Sequence, residues 1–216
     1  MLYPNPIMHS PGCTDGSTKS DPLRVTKDRQ SPDTSPSRFK RLRSFILDNY
    51  AGVEVFGRSP PETLEKMTDG KHVIVGLVGF CQPDFDEALA RQHVIDGLDK
   101  IKRKTGKTPI VVSGLNAVGV LKHGYAYAAE NGWPSVGVAC ERALEHSVAI
   151  VGLALIHGSE WGSESKLFTG LLKQLKELGQ DVYFLKVGGG EQSERERDIV
   201  FEAGINVIEY PLAKLA

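Results

Sequence analysis

The sequence predicts an α/β fold: a Rossmann-like parallel sheet with helices on both faces, in a single domain. Three observations predict it. Apolar runs of strand length, rich in Val and Ile, alternate with longer segments whose apolar residues recur at i, i+3 and i+4. The runs are hydrophobic nearly throughout rather than at every second residue, as strands buried on both faces are. Glycines stand where several of the runs pass into helical segments. Crossover helices packed back onto a parallel sheet supply the cover that such strands need.

The 216 residues, 40% hydrophobic and 25% charged, provide for one full domain and a tail. Residues 1–45 hold six of the twelve prolines and seven serines, but only two of the 23 glycines, and show almost no apolar periodicity. Such a stretch cannot bury enough surface to offset its chain entropy, so it reads as a disordered tail ahead of a domain at 46–216. The tail is basic, with eight Lys/Arg against four Asp; the remainder carries eighteen against twenty-three acids. An acidic body argues against a broad nucleic-acid footprint, and the cluster Arg38, Lys40, Arg41, Arg43 reads as a solvated tail. Three widely separated cysteines, the lack of any apolar run of about 18–20 residues and the lack of a signal-peptide pattern predict a soluble, cytoplasmic protein with no membrane association.

Along the domain, a short apolar segment (Phe45 to Phe56) and a helix over 60–67 precede a strand over 72–80. Further strands are expected at 110–113, 135–139, 148–156, 182–187 and 205–209. The helices between them are marked by Val94, Leu98 and Ile101; by Leu121, Tyr125 and Ala128; by Leu167, Leu171, Leu175 and Leu178; and by Ile199, Val200 and Ala203. Ligands of such sheets sit beyond the carboxyl ends of the strands, which makes the strand-to-helix turns the candidate site.

The strongest turn is Gly188-Gly189-Gly190-Glu191-Gln192-Ser193, after a strand and before a helix. Glycines allow close backbone approach, and helix N-terminal amides with the Ser193 hydroxyl suit a phosphate; the structural alternative is a capping box of Ser193 with Glu196. A second turn offers Gly114, Asn116 and Gly119. A third, at 157–166, offers Glu160, Trp161 and Glu164: the indole to stack on a base, the carboxylates for ribose hydroxyls or general base work, against ordinary helix-start chemistry. The turn after the first strand, Gly79 to Asp84, is by position a candidate wall of the pocket; Asp84 or Asp86 reads as the N-cap of the following helix, and Cys81, like Cys140, as a small buried hydrophobe. His123 and His157 lack metal-pair spacing, no G-x-G-x-x-G follows the first strand, and neither a metal nor a resident cofactor is expected.

The order of elements, the Ser113-Gly114 turn and the run Gly188-Gly189-Gly190-Glu191-Gln192-Ser193-Glu194-Arg195-Glu196 resemble the SLOG superfamily over about residues 73–210. That superfamily includes the Lonely Guy (LOG) phosphoribohydrolases once labelled lysine decarboxylases, molybdenum-cofactor carrier proteins and the DNA-uptake family DprA. Against the LOG pattern Pro-Gly-Gly-x-Gly-Thr-x-x-Glu the chain matches at Gly189, Gly190 and Glu196, has Ser193 for Thr, and departs at Gly188 and Gln192. The LOG Glu-Arg-Lys segment has its counterpart in Glu164-Ser165-Lys166, without the arginine. The resemblance implies a nucleotide-like small-molecule ligand, a homodimer and, for a LOG-type N-glycosidase, Glu196 and Glu164 as catalytic carboxylates. Losing the arginine removes the cation that would stabilise glycosidic cleavage. The expectation is therefore a nucleotide-binding sensor or carrier; the alternatives are a nucleoside 5′-monophosphate N-glycosidase and a non-catalytic oligomeric interaction module.

Overall fold

The computed structural model describes residues 37–82 and 84–215. In chain order the elements are α1 (Arg38–Asn49), β1 (Glu54–Phe56), α2 (Pro60–Lys66), β2 (His72–Gly79), α3 (Glu87–Thr105), β3 (Thr108–Ser113), α4 (Gly119–Glu130), β4 (Ser135–Ala139), a 3-10 turn (Glu141–Glu145), β5 (Leu153–Ile156), α5 (Ser165–Glu177), β6 (Asp181–Val187), α6 (Glu191–Glu202) and β7 (Asn206–Tyr210). The seven strands form one sheet in the order β1-β5-β4-β3-β2-β6-β7, parallel throughout except for β1, which runs antiparallel to β5 at the edge. This is the Rossmann-like α/β fold expected from the apolar runs.

Both faces are packed, which is why the strands carry apolar residues on both sides. On one face Ile74 and Val78 of β2 and Phe184 of β6 pack under Leu42 and Ile46 of α1, Leu167, Leu171 and Leu175 of α5 and Val200 of α6. On the other, Val73, Val75 and Leu77 lie beneath Val94, Leu98 and Ile101 of α3 and Val120 and Leu121 of α4. Each fully buried aliphatic side chain contributes about 1.5–3 kcal/mol relative to exposure. The α3 helix starts at Asp86, whose Oδ1 accepts from the Leu89 amide at 3.0 Å, and ends at Gly106 in the left-handed region.

Three local expectations change. Residues 38–45, read as part of the tail, form most of α1: Leu42 and Ile46 are fully buried and Ser37 caps the helix. The basic residues around them masked a short amphipathic pattern; residues 1–36 lie outside the described residues. The expected strand at 148–156 shortens to Leu153–Ile156, because residues 147–149 bond instead to 115–117, with Ala149 N to Leu115 O at 2.8 Å. On α6 the buried stripe is Ser193, Glu196 and Val200, while Ile199 is 39% exposed. The core-facing side of that helix is polar at its start, a departure from apolar patterning that marks the cleft beneath it.

Candidate functional site

The chain steps outward from β2 through β3, β4 and β5, and α5 then returns it to the other side of β2, where β6 and β7 are laid down. The turn after β2 leads to α3 on one face, and the turn after β6 leads to α6 on the opposite face. Diverging turns leave a crevice beyond the strand ends. A cavity of about 570 Å³ occupies it.

Four segments wall this cavity: Gly79, Phe80, Cys81 and Gln82 after β2; Gly114 and Asn116 after β3; Trp161 and Glu164 from the loop ahead of α5; and Gly190, Gln192, Ser193 and Glu196 at the start of α6. Lys214, near the end of the chain, closes one side. It pairs with Asp84 at 2.9 Å and lies over the Phe80 ring, so the cation is already engaged.

The α6 wall is built by its glycines. Gly189 has φ +108°, a conformation that side-chain-bearing residues rarely adopt, and the Ser193 hydroxyl lies against it. The helix opens at Gly190 as N-cap, which makes Ser193 its third residue, so Ser193 and Glu196 do not form the capping box considered as the structural alternative. Glu196 instead points its Oε1 at two donors, Ser165 Oγ at 2.7 Å and Gln192 Nε2 at 3.1 Å. Its side chain is buried, 5% exposed. Burial raises its carboxyl above the usual glutamate range and the Glu164 charge adds to the rise, while the two hydrogen bonds pull against it.

The remaining polar groups are acceptors in the main. Asn116 Oδ1 is buried without a hydrogen-bond partner among the described residues. Glu164 Oε2 accepts from the Gly162 amide at 2.9 Å, which holds the loop in a tight turn. Trp161 is 47% exposed, with its ring 5.6 Å from that of His146.

Eight of the twelve expected site residues meet at this cavity: Gly114, Asn116, Trp161, Glu164, Gly190, Gln192, Ser193 and Glu196. Four do not line it. Glu160 turns outward to pair with Arg142 at 2.8 Å on the surface. Gly188 and Gly189 lie behind the wall, where a Cβ on the former would strike the Phe80 ring. Gly119 (φ +61°) lets the start of α4 approach the backbone of Phe80 and Cys81, with Val120 N donating to Phe80 O at 2.8 Å. Lys166, the one cation beside the missing arginine, is exposed and not part of the wall.

Phe80 and Gln82 belong to the turn after the first strand, whose position made it a candidate wall, and they line the cavity; Lys214 was not expected there. Cys81, expected as a buried hydrophobe, is exposed at the cavity wall; desolvation by the surrounding wall raises its thiol above the ordinary value, and the Glu196 and Glu164 charges add to this. The position of Phe80 to Gln82 after the first central strand was the available signal. Lys214 arrives by a tertiary path, through the isolated bridge between Phe85 and Lys214, which no local pattern reports.

The fold and the crevice define the class: a single-domain Rossmann-like α/β protein with a largely apolar cavity, edged by a few polar side chains, at its topological switch point. No family model and no curated protein matches the chain. Among solved structures it is similar to the molybdenum cofactor carrier protein of Chlamydomonas reinhardtii, at 19% identity over 64% of this chain and 76% of that one, with a TM-score of 0.48. Another structure of the Moco carrier protein from the same organism gives 19% identity over 65% and 76%, with a TM-score of 0.43. DNA processing protein A of Streptococcus pneumoniae gives 12% over 77% and 74%, with a TM-score of 0.38. Among the described residues, no helix is long and apolar enough to cross a membrane.

Proposed function

We propose that this protein binds a nucleotide or nucleotide-derived small molecule in the switch-point cavity, as a sensor or carrier. The observation that carries this reading is the convergence, on one cavity of about 570 Å³, of a glycine-built helix start, an exposed indole and a buried carboxyl group. The amides of Gly190 to Ser193 and the Ser193 hydroxyl suit a phosphate. Glu196, Glu164 and Asn116 Oδ1 accept hydrogen bonds from ribose hydroxyls or a base amine, and Trp161 stacks on the base. The SLOG resemblance of the 188–196 run, a matter of motif residues, points the same way, and a homodimer in the cytoplasm belongs to the same reading.

One observation favours the N-glycosidase alternative: Glu196 is a buried carboxyl with a raised pKa, the usual setting of a general acid. Against it stands the lack, among the described residues that line the cavity, of a free cation to stabilise an oxocarbenium-like transition state: Ser165 is neutral, and the lining cation Lys214 is tied to Asp84.

A thermal-shift and calorimetric screen against nucleoside mono-, di- and triphosphates tests the proposal, with released base assayed for each hit. Trp161→Ala should weaken a hit by about tenfold or more, as the loss of base stacking does. Glu160→Ala, at an exposed ion pair, should change it by less than about threefold. Binding without base release supports a sensor or carrier; base release supports the hydrolase; no binding to any nucleotide overturns the reading in favour of an interaction module.

A further inference from the structure

One element outside the cavity lining reaches the cavity indirectly. Helix α1 lies on α5, and neither α1 nor Tyr50, the residue that ends it, is among the cavity residues. The Tyr50 hydroxyl donates to the backbone carbonyl of Lys166, in the first turn of α5, at 3.0 Å. Its ring meets that of His157 edge-on, centroids 5.3 Å apart at 81°, and is itself buttressed edge-on by Phe45 at 5.7 Å. His157 and Lys166 bracket the segment that carries Trp161, Glu164 and Ser165. Tyr50 thus touches both ends of the ligand-facing loop.

The neighbouring residues are shaped for this contact. At Gly170 a side chain would overlap the Tyr50 hydroxyl, so the glycine leaves the space into which the phenol reaches. Within the loop the bonds are local: Ser163 Oγ to Glu160 O at 2.5 Å and to His157 O at 3.3 Å, and Gly162 N to Glu164 Oε2 at 2.9 Å. These hold the shape of the turn. Its placement over the cavity is held by the surface pair of Glu160 with Arg142, by Ser165 Oγ to Glu196 Oε1, and by the anchors at its ends, namely His157 N to Ala139 O at 2.9 Å, Glu141 N to Gly158 O at 2.9 Å, and the two Tyr50 contacts. Burial raises the Tyr50 phenol, which keeps it a donor across the ordinary pH range.

We infer that Tyr50 is a positioning residue for the 157–165 loop, and that binding at the cavity depends on this contact. The inference about binding rests on the ligand reading above; the inference about the loop does not.

Tyr50→Phe, which keeps the ring and removes the donor, tests it in the full chain carrying Trp133→Phe, so that Trp161 is the sole indole. Hydrogen exchange of the 158–165 amides and acrylamide quenching of Trp161 report on the loop, and calorimetry with adenosine 5′-monophosphate reports on binding. Losing one hydrogen bond should speed exchange in the loop by about three- to tenfold. Amides of β2 and β3 should be unchanged, Trp161 quenching should increase, and adenosine 5′-monophosphate should bind several-fold more weakly. Phe45→Leu, which removes the buttress and leaves the hydroxyl, should show a smaller change in the same direction. Exchange and quenching equal to those of the parent, or acceleration spread evenly over the domain, would overturn the positioning role. If the parent binds no nucleotide while loop exchange responds as stated, the ligand reading fails and the positioning of the loop stands. If it binds and Tyr50→Phe leaves both loop and affinity unmoved, the positioning role fails and the ligand reading stands.

Discussion

The Ser165 hydroxyl donates a 2.7 Å hydrogen bond to Oε1 of Glu196, joining the first residue of α5 to the buried face of α6 across the cavity wall. Ser165 stands where the LOG resemblance implies an arginine, and it touches the very carboxylate that the resemblance makes catalytic. A neutral hydroxyl favours the charged carboxylate less than a guanidinium would, so burial prevails and the Glu196 carboxyl titrates high.

Ser165→Ala should raise the Glu196 pKa further and Ser165→Arg should lower it, as read by carboxyl-carbon NMR during a pH titration. Because the folded pKa lies above the unfolded value, the contribution of Glu196 to stability is fully present below the unfolded pKa, about 4.3, and is lost as pH rises through the folded pKa. Wild type should therefore lose stability relative to Glu196→Gln as pH rises across that window. Urea unfolding of both proteins at matched pH measures it, and a difference independent of pH would count against a raised Glu196.

Lys186, 8% exposed, pairs with Glu194 of α6 at 2.8 Å and Glu209 of β7 at 3.3 Å. Arg197 extends the network to the same two carboxylates, at 2.9 and 3.5 Å. Lys186→Met should cost about 1–2 kcal/mol, less than stripping a fully buried pair, because the carboxylates left behind reach solvent. The Lys186 hydrogen bond holds the Glu194 carboxyl below the usual range, so this contribution is present above the unfolded glutamate pKa and fades as pH falls through the folded one. Denaturant midpoints of variant and wild type should differ at neutral pH and converge at acid pH; a gap that does not change with pH would show that the network is not what the lysine contributes.

Gly119 combines φ +61° with contact against the Phe80 carbonyl and the Cys81 backbone. An alanine there must be strained and must push the β2 turn, so Gly119→Ala should lose at least about 2 kcal/mol. The same displacement moves Phe80, Cys81 and Gln82 at the cavity wall, so Cys81 should react with a thiol reagent at an altered rate. Full stability and an unchanged Cys81 rate would remove Gly119 from the list of residues that shape the site.

Much of the fold was legible because its physics is local. The runs at 72–80 and 135–139 and the Leu167, Leu171, Leu175 and Leu178 stripe report strands and a helix through the spacing of apolar side chains alone, and the structure places them as β2, β4 and α5. The glycine-rich turn and Trp161 could be proposed for a site because strand-to-helix turns converge in any doubly covered parallel sheet. Where several weak signals overlapped, local reading failed. In α1 the charges of Arg38, Lys40, Arg41 and Arg43 concealed the buried pair Leu42 and Ile46. In α6 the apolar Ile199 drew attention away from the polar face that the cavity uses.

By itself, then, the sequence determined the class of fold, the succession of most elements and the turns that hold the polar groups, since each depends on residues a few positions apart. Only the tertiary structure decided that β6 lies beside β2, that Glu160 faces solvent while Glu196 is buried against Ser165, and that Lys214 and Tyr50 bear on the cavity or its loop. Those pairings span 31 positions for Ser165 and Glu196 and 116 for Tyr50 and Lys166. Contacts at such separation are set by how the sheet is ordered and how helices pack on it, and no spacing within a single segment encodes them.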